Sequence, residues 1–465
     1  MENYKKDLDR SIKDGSAHSV MMGSGETYLS AYGLALGATD KQIGFLVSIP
    51  QLMCSISQLF STKIIETINS RKKMLLIFAL IQSLIWIPIT YLIFERSFVV
   101  WKLILFVTCY WVSGAITAPA WSSWIGDIIP DKIKGKFFGK RNMYNGLSLF
   151  ISVFISGIIL SISSKYNPFI GFGIIFGIAF VSKIISWLYL RRIEEPKFNI
   201  DEENKFSFLD FIKRITKTNF GKFAIYISLM TFATQIAAPY FVVYMLRDLK
   251  FSYWTYTIVT SVGKISNFAF IAIWGKYSDL FGNKKIMRLT GYMIPLLPIL
   301  WLFSNNLAWI LFIEIFGGFV WSGFNVSTFS FIFDTVSPQK RVRCVSYSNL
   351  LNGLSIFLGS TLGGFLLQFG EMFWSNFFLI LIVSGIGRLL ASIIMLPKIK
   401  EVRWVENVSE HRLLFNVVSG VFEGLKYPVL FLSERRSAIK RKSEGIIDWL
   451  RKFIEKSLGK RSKYS

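Results

Sequence analysis

The feature that most constrains this chain is a repeat of apolar runs. Runs of roughly 20 residues, each long enough for a helix to cross about 30 Å of hydrocarbon, recur from near Ser16 to Leu396. In lipid every backbone N–H and C=O must find a partner within the chain, and a helix satisfies them segment by segment. The runs fall at residues 16–36, 43–65, 74–94, 99–124, 143–163 and 168–190, then at 222–246, 254–274, 287–303, 308–331, 346–369 and 374–396. The expected fold is therefore an all-α polytopic membrane protein of twelve transmembrane helices, six on each side of a polar connector. Composition excludes a soluble domain on a membrane anchor: 52% of residues are hydrophobic and only 18% charged. The expected divisions are an N-terminal segment 1–15, a six-helix half 16–190, a connector 191–221, a second six-helix half 222–398 and a basic amphipathic tail 399–465.

The net charge of +24 does not point to nucleic acid, because the cations sit in short loops and in the tail. Lys and Arg in short loops stay on the cytoplasmic side. The loops after even-numbered spans carry Arg71, Lys72 and Lys73, then Lys132, Lys134, Lys136, Lys140 and Arg141, then Lys284 and Lys285, then Lys340, Arg341 and Arg343. Loops after odd-numbered spans are short and poor in cations. Both termini are expected in the cytoplasm, with the chain in the cell membrane. The polar N-terminus lacks the apolar core of a signal peptide. The tail places Ile446, Leu450, Phe453, Ile454 and Leu458 on one helical face opposite Arg451, Lys452 and Lys456, the pattern of an in-plane helix on anionic inner-leaflet lipid. The apolar stretch 413–432 reads as interfacial.

Three cysteines and two histidines supply no disulfide framework, metal spacing or cofactor motif; His18 and His411 lie too far apart in the chain to read as a site. Ser261, Val262, Gly263 and Lys264 lack the lead and the hydroxyl of a phosphate-binding loop, and no catalytic motif appears. Glycines four apart, Gly173 with Gly177 and Gly359 with Gly363, are expected at close helix contacts.

The halves echo each other: Asp127, Pro130, Asn142, Asn145 and Gly146 correspond in order to Asp334, Pro338, Asn349, Asn352 and Gly353, and Lys183 to Arg388. Between the eighth and ninth runs the chain reads Gly275-Lys-Tyr-Ser-Asp279-Leu-Phe-Gly282-Asn-Lys284-Lys285. This resembles the loop motif of the major facilitator superfamily, and with the six-plus-six layout the resemblance covers about residues 16–396. It implies a transporter of a small solute, with Asp127, Gly275, Asp279, Gly282, Lys284, Asp334 and Arg341 in a conformational gate. The first-half counterpart, residues 63–73, keeps the basic end, lacks both glycines and places Glu66 one position off.

An ionisable side chain inside hydrocarbon is costly and invites a functional reading. Glu26 lies near the middle of the first span among Gly23, Ser24 and Gly25, and the family architecture implies that spans 1, 4, 7 and 10 line the central cavity. Glu26 is the first candidate for proton coupling, Glu314 the second, and Lys264 a counter-charge for either. Gln235, Asn325, Trp111, Trp121 and Trp321 are candidate solute contacts. Lys183 and Arg388, within about two turns of a span end, are expected to snorkel to the headgroups. The reading is secondary transport by alternating access, without a cofactor, with membrane lipids around a chain functional as a monomer. Alternatives are a non-transporting receptor or scaffold, and an intramembrane enzyme that would need Glu26 and Glu314 together.

Overall fold

The computed structural model of the protein describes residues 2–95, 97–129, 134–195, 208–368 and 376–402. All its regular structure among these residues is helical. Among the described residues nine helical segments are long and apolar enough to cross a membrane: Arg71–Phe94 (span 3), Val99–Ala118 (in span 4), Lys140–Ser163 (span 5), Pro168–Arg191 (span 6), Asn219–Asp248 (span 7), Tyr253–Ser278 (span 8), Leu307–Thr335 (span 10), Arg343–Leu366 (span 11) and Asn376–Lys398 (span 12). Spans 1, 2 and 9 complete the twelve as interrupted helices: Glu2–Ser24 with Leu29–Ala35, Asp40–Gln58 with Ser61–Ile68, and Asn283–Met293 with Leu296–Leu300. A short helix, Phe208–Arg214, lies in the connector. The amphipathic tail helix and the stretch 413–432 lie outside the described residues.

The interruptions have local causes. Span 1 breaks at Gly25, where a side chain would collide with Trp86, and resumes through a single 3-10 turn, Glu26–Tyr28. Span 9 stops just before Pro295, whose missing N–H and ring cannot continue an α-helix. Pro239 does the same to span 7, which continues as a 3-10 turn and a π turn, Tyr244–Asp248. The first helix begins at Glu2, well before residue 16, because its polar face is buried inside the bundle: Asp7, Ser11, Asp14 and Ser19 are all buried.

The outside is apolar. Ile77, Ile81 and Leu84 on span 3 and Ile151, Ile155, Ile158 and Ile162 on span 5 are exposed at helical spacing, a surface suited to lipid. The interior instead buries many serines, small enough to let helices approach. Gly359 and Gly363 lie against the carbonyls of Phe232 and Ile236 on span 7, so the expected close contact forms there. Gly173 and Gly177 do not make one: a side chain would meet at most Ile93 at the first and nothing at the second.

Two ends can be distinguished, a basic end with the loops after even-numbered spans and a short-loop end. The apolar core is divided unequally between them. At the short-loop end one buried cluster draws on both halves, including Tyr28, Tyr32 and Leu103 from the first and Tyr240, Val243 and Phe377 from the second. At the basic end the clusters among the described residues are separate: Ile65, Met74, Trp124 and Ile193 belong to the first half alone, and Phe223, Met287, Phe331 and Ile399 to the second alone.

Cross-half polar contacts reinforce the short-loop end. Arg247 pairs with Asp40 at 2.7 Å, and Tyr28 and Thr257 join their hydroxyls at 2.9 Å. Span 2 also runs along span 11, as far as Asn349, which donates to Gln58 at 3.2 Å.

The basic end has an internal symmetry that sequence spacing does not reveal. Glu195, just after span 6, accepts from the Ser70 hydroxyl at 2.6 Å and from the N–H groups of Arg71 and Lys72 at 2.8 and 3.1 Å. Glu401, just after span 12, accepts from the Lys284 N–H at 2.8 Å. Each half thus anchors the positive N-terminus of its third helix with a carboxylate from beyond its sixth.

Candidate functional site

A cavity of about 480 Å³ opens inside the first half, lined by spans 1 to 6. Its position follows from span 1. Asp14, His18 and Met22 recur every four residues and so share one helix face, and the turn after Gly25 brings Glu26 into the same cavity. Lys183 of span 6, Arg141 of span 5 and Trp111 and Trp121 of span 4 also line it.

The polar contacts pair most of these groups. The Tyr110 hydroxyl donates to Glu26 Oε1 at 2.5 Å. Ser186 donates to Asp14 Oδ1 at 2.7 Å, and Arg141 Nη2 stands 3.7 Å from Asp14 Oδ2. Arg141 also donates from Nε to the Ser11 carbonyl and lies over the Trp121 ring at 4.4 Å. Lys183 Nζ is 3.0 Å from His18 Nδ1.

From the second half, Lys264 comes to the edge of this group, its ammonium 3.4 Å from the Thr27 hydroxyl beside Glu26. Glu314 lies elsewhere, with its carboxylate over Gly263 between spans 8 and 10. The two acids that an intramembrane hydrolase would need together do not share the cavity. Gln235 packs by Gly359, Trp321 edges onto Phe324 and Asn325 is exposed; none lines the first-half cavity.

The turn between spans 8 and 9 shows what its glycines do. Gly282 adopts φ +90° and ψ 150°, a backbone open to glycine and strained for other residues. A side chain at Gly275, by contrast, would meet nothing within 4 Å. Asn283 is buried, accepts from Ser278 and donates to Asp334 Oδ2 at 2.6 Å. In the first half the reversal takes two residues, Asn69 at φ 54°, a conformation asparagine tolerates, and then Ser70 in extended backbone. The side chains of Asp127, Asp279 and Arg341 lie outside the described residues, as does that of Glu66.

The sequence profile of the Major Facilitator Superfamily matches residues 17–268 and again 223–443. The chain belongs to that superfamily. The first match runs from span 1 into span 8 and the second from span 7 into the tail, and membrane transport is the activity this places it in. Among solved structures the fold is similar to the nucleoside transporter NupG, with a TM-score of 0.65 at 15% identity over 86% of this chain and 100% of that one. It is likewise similar to a D-xylose-proton symporter, TM-score 0.65 at 13% identity over 86% and 98%. No curated protein sequence matches the chain.

Two expectations for this major facilitator chain are corrected. Lys183 and Arg388 do not snorkel: each is only 4% exposed, because both side chains point into their half. Arg388 donates to Ser384 at 3.1 Å and to the Ile294 carbonyl at 3.4 Å. His18, set aside for want of a second histidine, lies in the cavity on Lys183. The signal for this face is the four-residue spacing from Asp14 to Glu26, which crosses the expected start of the first span at Ser16.

Proposed function

We propose that this protein is a secondary active transporter of a small solute, working by alternating access and coupled to protons through Glu26. The observation that carries the reading is the unequal core. One shared cluster seals the halves at the short-loop end, separate clusters leave them independently packed at the basic end, and the cavity extends from Glu26 to Arg141 and Leu190 near that end. Two rigid halves hinged in this way can rock about a midplane site. With the basic loops and both termini in the cytoplasm of a cell-membrane protein, this state is inward-facing.

Coupling is read from Glu26. A carboxylate at this depth is costly when charged and unpaired, and its direct partner is a neutral phenol. Lys264 approaches from the other half beside Thr27, so rocking the halves changes the charge that Glu26 faces. Resemblance to a fold described as a proton symporter supports a proton as the coupling ion. The gate is assigned to the Asp334–Asn283 contact together with Asp127, Asp279, Gly275, Gly282, Lys284 and Arg341, and solute contacts to Trp111, Gln235, Trp321 and Asn325, with Glu314 as a second acid. One chain forms the whole cavity, which suits a monomer, and the basic tail is assigned to anionic lipid.

The test is side-specific labelling. In a cysteine-free variant, Ala118→Cys on the cavity wall is expected to react with an impermeant maleimide in inside-out vesicles and to be protected in right-side-out ones. Reaction from the outside alone, or equally from both sides, would contradict the inward-facing cavity.

A further inference from the structure

We infer that the first-half cavity contains an anion site centred on Lys183 and Arg141, which takes the carboxylate or phosphate group of a small organic solute. The inference rests on reading this cavity as the solute pathway.

Charge accounting leads to it. An ammonium offers only donors, so in its 3.0 Å contact with Lys183 the His18 Nδ1 accepts. The imidazole is then neutral, with its proton on Nε2, and adds no charge. Among the described residues Lys183 makes no ion pair, although it is 4% exposed. A buried charge is costly unless an opposite one meets it.

Each acid of the cavity has a nearer polar partner than Lys183. Asp14 takes the Ser186 hydroxyl at 2.7 Å and faces Arg141 at 3.7 Å, and Glu26 takes the Tyr110 hydroxyl at 2.5 Å. His18 thus holds Lys183 in position without neutralising it. Arg141 is fixed by Ser11 and by stacking on Trp121, and its separation from Asp14 is too long for a hydrogen bond.

Two positioned cations in one cavity, with the Trp121 ring against Arg141, match an anionic head on an apolar or aromatic body. The cavity's 480 Å³ lies in the range of small-molecule sites. An amine would meet like charge, and an uncharged sugar would leave Lys183 without a direct anionic partner.

The experiment is thermal-shift and calorimetric binding with the purified full chain in detergent at fixed ionic strength. Phenylacetate, phenyl phosphate and a hexose phosphate are compared with phenylacetamide, glucose and phenethylamine. The expected result is stabilisation by at least one anion, with its uncharged counterpart weaker by about tenfold or more, the usual scale for losing a charge-assisted hydrogen bond.

Lys183→Met is expected to fold, since it removes a buried charge, and to lose that binding about tenfold; Lys183→Arg is expected to restore it. Stabilisation by phenethylamine or glucose alone, by no anion, or by an anion that Lys183→Met binds equally well would overturn the inference. So would Lys183-dependent stabilisation by phosphatidylglycerol micelles with none by the soluble anions, because the ligand would then be a lipid headgroup.

Because the readout is binding, the two readings fail separately. Transport of an amine would leave the transporter standing without the anion site. Lys183-dependent anion binding in a protein whose two ends never exchange access would do the reverse.

Discussion

Gly44 offers the sharpest perturbation of the closed short-loop end. It sits on span 2 against Tyr240 of the second half. A Cβ there would overlap the Tyr240 hydroxyl and come within 3.1 Å of the Ser360 carbonyl. Tyr240 cannot simply move away: its ring is fully buried and its hydroxyl donates to that same carbonyl at 2.5 Å.

Gly44→Ala must therefore overpack the contact, at about 1–3 kcal/mol, and disturb a buried hydrogen bond, at about 1–3 kcal/mol more. The contact joins the halves only while this end is closed, so the cost falls on one state. A total of at least about 2 kcal/mol shifts the open-to-closed ratio at this end by about 30-fold. A single cysteine at Ala237, fully buried in the shared cluster, reports the change as its reaction rate with an impermeant maleimide. The rate is expected to rise by about that factor in Gly44→Ala. Gly177→Ala, where an added Cβ meets nothing within 4 Å, is the control. An unchanged rate in Gly44→Ala, or an equal rise in the control, would refute the reasoning.

Further outcomes follow from the same geometry. Glu195→Gln removes a carboxylate from the start of span 3 and is expected to cost about 1–2 kcal/mol, lowering the unfolding midpoint in detergent, with Glu401→Gln doing the same at span 9; no change in either variant would remove the anchoring role. Single cysteines at Asn305 and Ser337 should react with an impermeant reagent from opposite sides of the membrane, and labelling of both from outside would sink the topology. Once a solute is known, Glu26→Gln is expected to abolish gradient-driven uptake into proteoliposomes while keeping exchange between equal pools. Full accumulation by that variant would pass the coupling role to Glu314.

The transmembrane fold was legible because an apolar run of spanning length has few other uses, and the turn glycine because Gly282 needs a positive φ. The cavity was less legible for a physical reason. Whether Lys183 points to lipid headgroups or inward depends on the rotation of span 6, which packing sets and residue depth does not. Lys183 and Arg388 both turned inward, and His18 acquired a role only once span 6 lay against span 1. Glu195 and Glu401 carry no motif in the sequence, since their partners lie more than a hundred residues away. Conversely, the first-half loop reverses without the motif's glycine, through Asn69 in the left-handed region and Ser70 in extended backbone.

The central claim, that the two ends open in alternation, is tested most directly by two spin-label distances measured in one perturbed protein. One pair, Lys165→Cys with Ala308→Cys, reports the short-loop end; the other, Thr67→Cys with Lys340→Cys, reports the basic end, and all four positions are exposed. Gly44→Ala supplies the perturbation without a known solute. The account predicts that double electron–electron resonance shows the first distance lengthening and the second shortening. Both distances unchanged, or both lengthening together, would contradict it.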